Sequence, residues 1–130
     1  MSFNWTDFLT LAEALAASPD SLGPAEAALR SAASRAYYAA FHESLAFAAR
    51  EGFVPYGSGE DHKAVQRYLR QSPPTDPGRV RKKVAEDLGR LYDCRRRADY
   101  DNSLGQTPHV LAKHSVALAR SILGKLRSLP

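Results

Sequence analysis

The sequence is poor in the residue patterns that most directly announce a chemistry. One cysteine, Cys94, among 130 residues excludes an internal disulfide framework and fits a reducing cytoplasm. His42, His62, His109 and His114 fall in no His-x-x-x-His spacing, and a lone thiol cannot anchor a structural zinc, so no metal and no cofactor are expected. The run from Asp99 to Ser103 starts like a calcium loop, but Leu104 stands where that loop needs glycine and Val110 where it needs a bidentate acid. There is no Gly-rich phosphate loop, and no strand-turn-helix context for a nucleophilic serine. No apolar run approaches the roughly 18 to 20 residues of a membrane span; the most apolar stretch, 36–49, is interrupted by His42, Glu43 and Ser44. Residues 1–7 lack the basic start and apolar centre of a secretory signal, so the expected setting is cytoplasmic, with no membrane attachment.

What is present is an ordinary globular composition with an uneven charge. With 44% hydrophobic and 25% charged residues over 130 positions, the chain reads as one domain, 1–130, able to bury a core without staples. The net charge of +4 conceals a net −5 over residues 1–61, +7 over 62–97 and +2 over 98–130. The basic middle is a candidate surface for phosphates, although Arg81, Lys82 and Lys83 would point away from an apolar stripe whether or not anything binds.

The spacing predicts five helices, over about 5–17, 24–51, 60–70, 77–100 and 108–128, and no strand. Asn4 is the expected N-cap of the first, with Trp5, Phe8, Leu9 and Ala12 on one face. Pro24, Pro77 and Pro108 are expected at first helical positions, where a missing N–H costs nothing, and Gly52 ends the second helix. Short connections imply an all-α, antiparallel up-and-down bundle of four long or medium helices plus a short third one. The second helix is apolar around much of its cylinder: Leu29, Ala33, Ala36, Tyr37, Ala40 and Phe47 form one stripe, with Tyr38 and Leu45 on the far side beside Arg35 and His42. Either it is the central helix, or a second subunit covers it.

One residue breaks the pattern of the fourth helix. Val80, Val84, Leu88, Leu91 and Ala98 recur at helical spacing, and Arg95 falls near the middle of that stripe, with Asp99 at its margin. A buried guanidinium needs a partner, and Asp99, one turn on, can be one. The pattern allows a structural ion pair, or a functional arginine in a cleft or subunit seam.

Two segments then stand out together: Ser34-Arg35-Ala36-Tyr37-Tyr38-Ala39-Ala40-Phe41-His42 on the second helix and Arg95-Arg96-Arg97-Ala98-Asp99-Tyr100 ending the fourth. With Asp61-His62-Lys63 before the short helix, they resemble the HEPN superfamily, specifically its small stand-alone members paired with minimal nucleotidyltransferases, over about residues 24–125. The resemblance implies a homodimeric helical bundle that binds RNA or a nucleotide and forms the toxin-like half of a toxin–antitoxin pair, with a nucleotidyltransferase as antitoxin partner. Ribonuclease members carry an arginine and, a few residues on, a histidine, and cleave RNA without a metal. The 2′-OH attacks the adjacent phosphate, the histidine handles protons and the arginine stabilises the phosphorane.

Arg95 matches that arginine, but Tyr100 occupies the histidine's place. Tyrosines ordinarily titrate near pH 10, which makes a tyrosine a poor general base. The catalytic pair implied is Arg95 and Tyr100; the implied binding set is Arg35, Tyr38, His42, His62, Arg95, Arg96, Arg97, Asp99 and Tyr100. In this set Arg95 contacts phosphate, Asp99 orients it, Tyr100 hydrogen-bonds or stacks, and Arg96, Arg97, Lys82 and Lys83 gather the polyanion. A metal-independent endoribonuclease and a non-enzymatic dimeric interaction module are the alternative readings.

Overall fold

Local chemistry sets the helix ends in the computed structural model, which describes residues 3–21 and 23–130. Helix α1 is Asp7–Ala17, starting two residues later than expected. The Asn4 side chain is engaged before the helix, accepting from the Thr6 amide at 3.2 Å and the Thr6 hydroxyl at 2.6 Å, so Thr6 and not Asn4 is the N-cap. A 3-10 turn, Pro19–Ser21, leads to α2, Ala25–Arg50. Pro24 has φ −58° and ψ 127°, which places it at the N-cap rather than at the first helical position.

The end of α2 follows the Schellman pattern. Phe53 N–H donates to the Ala48 carbonyl and Gly52 N–H to that of Ala49, both at 3.0 Å, while Gly52 takes φ 108°, a backbone state that glycine enters without a Cβ penalty. Helix α3 is Asp61–Arg70, α4 Asp76–Tyr100 and α5 Pro108–Ser128. Thr75 and Thr107 cap the last two by accepting from Gly78 N–H and Val110 N–H; Pro108 takes the first helical position as expected, whereas α4 begins one residue early, at Asp76, and Pro77 is second. Among the described residues there is no strand, and no helix is long and apolar enough to cross a membrane.

Side-chain contacts give the directions. Arg30, near the start of α2, donates to the Ala98 and Asp101 carbonyls at the end of α4, while Glu51 after α2 binds Arg81 near the start of α4, so the two helices are antiparallel. Glu13 with Arg120 joins α1 to α5, and Lys125 with Asp87 joins α5 to α4. Trp5 against His42 with Phe8 against Arg35 sets α1 antiparallel to α2, and His114 beside Tyr100 with Lys125 at Asp87 sets α5 antiparallel to α4, so the four principal helices alternate in direction. Helix α3 departs from the alternation: Gln66 lies against Gly89 and Ser72 binds Arg81, so it runs antiparallel to α4 and parallel to α2, from which it is separated by the loop 52–60.

Helix α2 is the centre of the bundle, touching α1, α3, α4 and α5, and its most extensive contact is with α5. Ala32, Ala33, Ala36, Ala39, Ala40 and Ala48 on it are fully buried, small enough for neighbouring backbones to approach on several sides at once. Its two-sided apolarity is thus accounted for within one chain and carries no argument for a dimer. Residues of all five helices share one apolar core. Within it Asp87 is a buried carboxylate ringed by Lys83, Arg90 and Lys125 at 3.3 to 3.5 Å, which ties α4 to α5.

The entry to α4 is the tightest backbone approach. A Cβ on Gly78 would stand 1.7 Å from the Pro73 carbonyl oxygen, whereas one on Gly124, exposed toward the end of α5, would meet nothing within 4 Å. Gly78→Ala is expected to lower unfolding free energy by about 1 to 3 kcal/mol, because backbone must move to admit the methyl. Gly124→Ala is expected to be neutral or to stabilise by up to about 1 kcal/mol through helix propensity. Urea unfolding of the two variants beside the parent checks both, and equal midpoints would refute the steric account.

Candidate functional site

The apolar face of α4 delivers Arg95 into the interior as the stripe requires, with 8% of the residue exposed. Its compensation is incomplete. The nearest carboxylate oxygen, on Asp99, is 3.6 Å from Nη1, an ion pair but too long for a good hydrogen bond, and Nε is buried without any partner. The same Asp99 oxygen accepts the Ser34 hydroxyl at 3.3 Å, which ties it to α2.

Tyrosines supply most of the surroundings. The guanidinium carbon lies 5.3 Å from the ring centre of Tyr92, 5.7 Å from those of Tyr37 and Tyr38, and 6.0 Å from that of Tyr100. Ring faces can hold a cation, at about 2 kcal/mol when desolvated, but they fill none of its hydrogen-bonding positions. The result is a cation confined by aromatic rings with donor capacity to spare.

His62 enters this group from α3. Tyr37, fully buried, places its hydroxyl 2.5 Å from His62 Nδ1, and the His62 ring packs against Tyr37, Tyr92 and Phe41. Burial pushes the Tyr37 phenol far above its ordinary range, so it keeps its proton, and since Nδ1 is the one partner of this fully buried hydroxyl, donation to Nδ1 is the arrangement that satisfies that proton. That assigns the remaining proton of a neutral His62 to Nε2. Burial lowers the His62 titration below its ordinary value and the Arg95 charge lowers it further, against a smaller opposing pull from Asp61. His62 therefore offers a neutral N–H donor next to the arginine, not a free lone pair.

The other expected residues fall into two groups. His42 does not join Arg95: it stacks on Trp5 at 3.5 Å between ring centres, and its titration is lowered by burial and then by His62. Arg35 is exposed and lies over the Phe8 ring, 4.9 Å away, on the side facing α1. Tyr38 stays with Arg95. Tyr100 is 73% exposed at the end of α4, at the rim of the box. Arg96 lies over the outer side of Tyr92 at 6.0 Å, and Arg97 points toward the Cys94 sulfur.

Tyr37 and Tyr92, absent from the expected set, turn out to be the groups that bring His62 and Arg95 together. Tyr92 had a readable signal, since it lies three residues before Arg95 on the same helix face.

Two open grooves flank this box along α4. One, between α3 and α4, has a volume of about 660 Å³ and carries Lys63, Arg67, Arg70, Arg90 and Arg96 around Tyr92. The other, toward α5, is about 670 Å³ and is bordered by Arg96, Arg97, Tyr100 and His114. Part of the basic middle of the sequence is thus gathered on the faces adjoining the buried arginine; Lys82 and Lys83, expected to gather a polyanion there, line neither groove, and Lys83 is turned to Glu86 and Asp87. Compared with protein-family models, curated proteins and solved structures, the chain matches none.

The histidines make stability pH-dependent in a stated direction. Both are lowered in the folded chain from 6.5, so between the lowered value and 6.5 the unfolded chain binds more protons. Their contribution is complete above about pH 6.5 and is lost as pH falls through that window. Urea midpoints should fall between about pH 7.5 and about pH 5.5, and His62→Gln should reduce that fall. Parallel pH curves for the two proteins would contradict the assignment. Glu51, held low chiefly by its hydrogen bond to Arg81, adds a separate loss only below its ordinary 4.5.

Proposed function

We propose that this chain is a HEPN-type protein that binds RNA or a nucleotide, with Arg95 as the phosphate-contacting residue. It acts as the toxin-like component of a homodimeric toxin paired with a nucleotidyltransferase antitoxin. The observation that carries the binding reading is the incomplete satisfaction of Arg95: one long ion pair, an orphaned Nε and tyrosine rings in place of acceptors. A phosphate oxygen is the ligand atom that such a cation accommodates, because it brings both charge and acceptor lone pairs. The unpaired cations beside the box support it by concentrating polyanions at its edge. The homodimer and the nucleotidyltransferase partner rest on the resemblance of the Ser34 to His42 and Arg95 to Tyr100 segments.

Metal-independent RNA cleavage is the second reading, favoured by the neighbourhood of His62 and Arg95. It ranks lower because the hydrogen bond from Tyr37 occupies the His62 lone pair that a general base would use. The third reading, a non-enzymatic interaction module, makes the Arg95 to Asp99 pair a register device only.

The deciding experiment measures binding of a mixed-sequence RNA by fluorescence anisotropy at low salt, with circular dichroism as the check on folding. Arg95→Ala should weaken binding by roughly tenfold or more, the worth of a hydrogen bond between charged groups. Equal affinity of parent and variant would remove Arg95 from the site, and a loss of stability without a change in binding would select the interaction module. Incubation with RNA in EDTA separates the ribonuclease, which would release cyclic phosphate ends only with Arg95 intact.

A further inference from the structure

The groove between α3 and α4 has features that the buried arginine does not account for. On α3, Lys63, Arg67 and Arg70 project from one face, spanning about 10 Å along the helix axis. Arg96 faces them from α4, and none of these four cations has an ion-pair partner among the described residues; Arg35, Arg50, Lys82, Arg97, Lys113 and Arg127 have none either, but they are spread outside this groove. Of the acids bordering the groove, Glu86 is turned to Lys83, while Asp93 and, in the continuing pocket, Glu60 offset part of the charge. The lining stays net positive, with Lys63, Arg67, Arg70, Arg90 and Arg96 against Glu86 and Asp93.

A smaller pocket of about 320 Å³ continues the groove at its far end, sharing Lys63, Arg67 and Tyr92 with it and adding Tyr56. Tyr56 is 66% exposed and packs against no other ring among the described residues, a state it shares with Tyr100 of the other groove, while Tyr37, Tyr38, Tyr68 and Tyr92 all pack on rings. It is also held in place. Asp61, a buried carboxylate, accepts from the Tyr56 amide at 2.8 Å and the Gly57 amide at 2.9 Å, fixing the loop that presents the ring. An exposed aromatic on a pinned loop, at the end of a row of unpaired cations, is the arrangement by which proteins hold single strands: cations track the backbone and a ring takes a base.

We propose that the α3 to α4 groove is the track for single-stranded RNA, with its phosphates on Lys63, Arg67, Arg70 and Arg96 and a base stacked on Tyr56. This deepens the binding reading above and rests on it. Tyr92, which borders both groove and pocket and packs on the Arg95 guanidinium, connects the track to the buried arginine. A duplex buries its base faces and gives Tyr56 nothing to stack on, so the groove favours single strands. A mononucleotide engages too few of the cations to compete well.

The test uses the full chain and a labelled single-stranded RNA of about 12 nucleotides, its blunt duplex, and ATP as competitor. Tyr56→Ala should weaken single-strand binding by roughly tenfold, with Tyr56→Trp restoring it and duplex binding unchanged. Because Tyr56 is exposed, its loss should leave the melting temperature in place. The double variant Arg67→Ala with Arg70→Ala should reduce the magnitude of the salt slope, log Kd against log salt, by about 1.4. Binding lost in Arg95→Ala but untouched by the Tyr56 and Arg67 with Arg70 variants would overturn the track and leave the Arg95 reading standing. Tighter binding of duplex than of single strand, or displacement of RNA by equimolar ATP, would overturn the track as well. No RNA binding by the parent protein would overturn both.

Discussion

The seam between α2 and α4 is fixed by arginines at three levels, and the candidate site exists only because that register holds. At one end Arg30 fills the carbonyls that α4 leaves open at its C-terminus, replacing the water that would otherwise satisfy them. At the other, Arg81 holds both oxygens of Glu51 and the Ser72 hydroxyl, binding α4 to the end of α2 and to the turn after α3. Between them Arg95 meets Tyr37 and Tyr38 from the opposite helix. A shift of one helical turn, about 5.4 Å, would separate the guanidinium from those rings and leave it only the groups of its own helix, Tyr92, Asp99 and Tyr100. The outer two arginines are satisfied and the middle one is not, so the structural burden and the open binding capacity fall on different residues.

Much of the architecture was legible because helix ends are local problems. Gly52, Thr107 with Pro108, and Asp76 with Pro77 mark boundaries through hydrogen bonds and φ preferences confined to a few residues, and the structure keeps them to within a residue or two. The start of α1 was misread where two local solutions compete: Asn4 can cap a helix or close the turn before it, and the Thr6 hydroxyl draws it to the turn. The direction of α3 had no local signal, since it follows from how the loop 52–60 folds back. That in turn depends on Asp61, a single carboxylate binding two amides.

Legibility of the site divides along the same line. Arg95 and Asp99 were reachable from helical periodicity, which reports which side of a helix faces inward, whereas periodicity put Tyr38 on the far side of α2 from Tyr37 and only the resemblance brought it into the expected set. The segment from Arg35 to His42 looks like one motif in sequence, but the helix winds it past two neighbours, leaving Arg35 and His42 against Phe8 and Trp5 of the α1 end while Tyr37 and Tyr38 face α4. His62 comes to Arg95 from a different helix through Tyr37, and no spacing rule spans that loop. The positive charge of residues 62–97 was visible as a total, yet its division into paired and unpaired members is a property of geometry alone.

The central position of α2 also orders events in time. Its largest contact is with α5, and α3 and α4 must be synthesised between the two. At about 5 to 20 residues per second, a ribosome takes several seconds to make that intervening chain. Throughout that interval the α5 side of α2 has no final partner, and closing so long a loop carries its entropy cost before any contact repays it. The nascent chain is therefore most exposed to misassociation while its most apolar helix waits for its last one, and folding of the core becomes a late, largely concerted step.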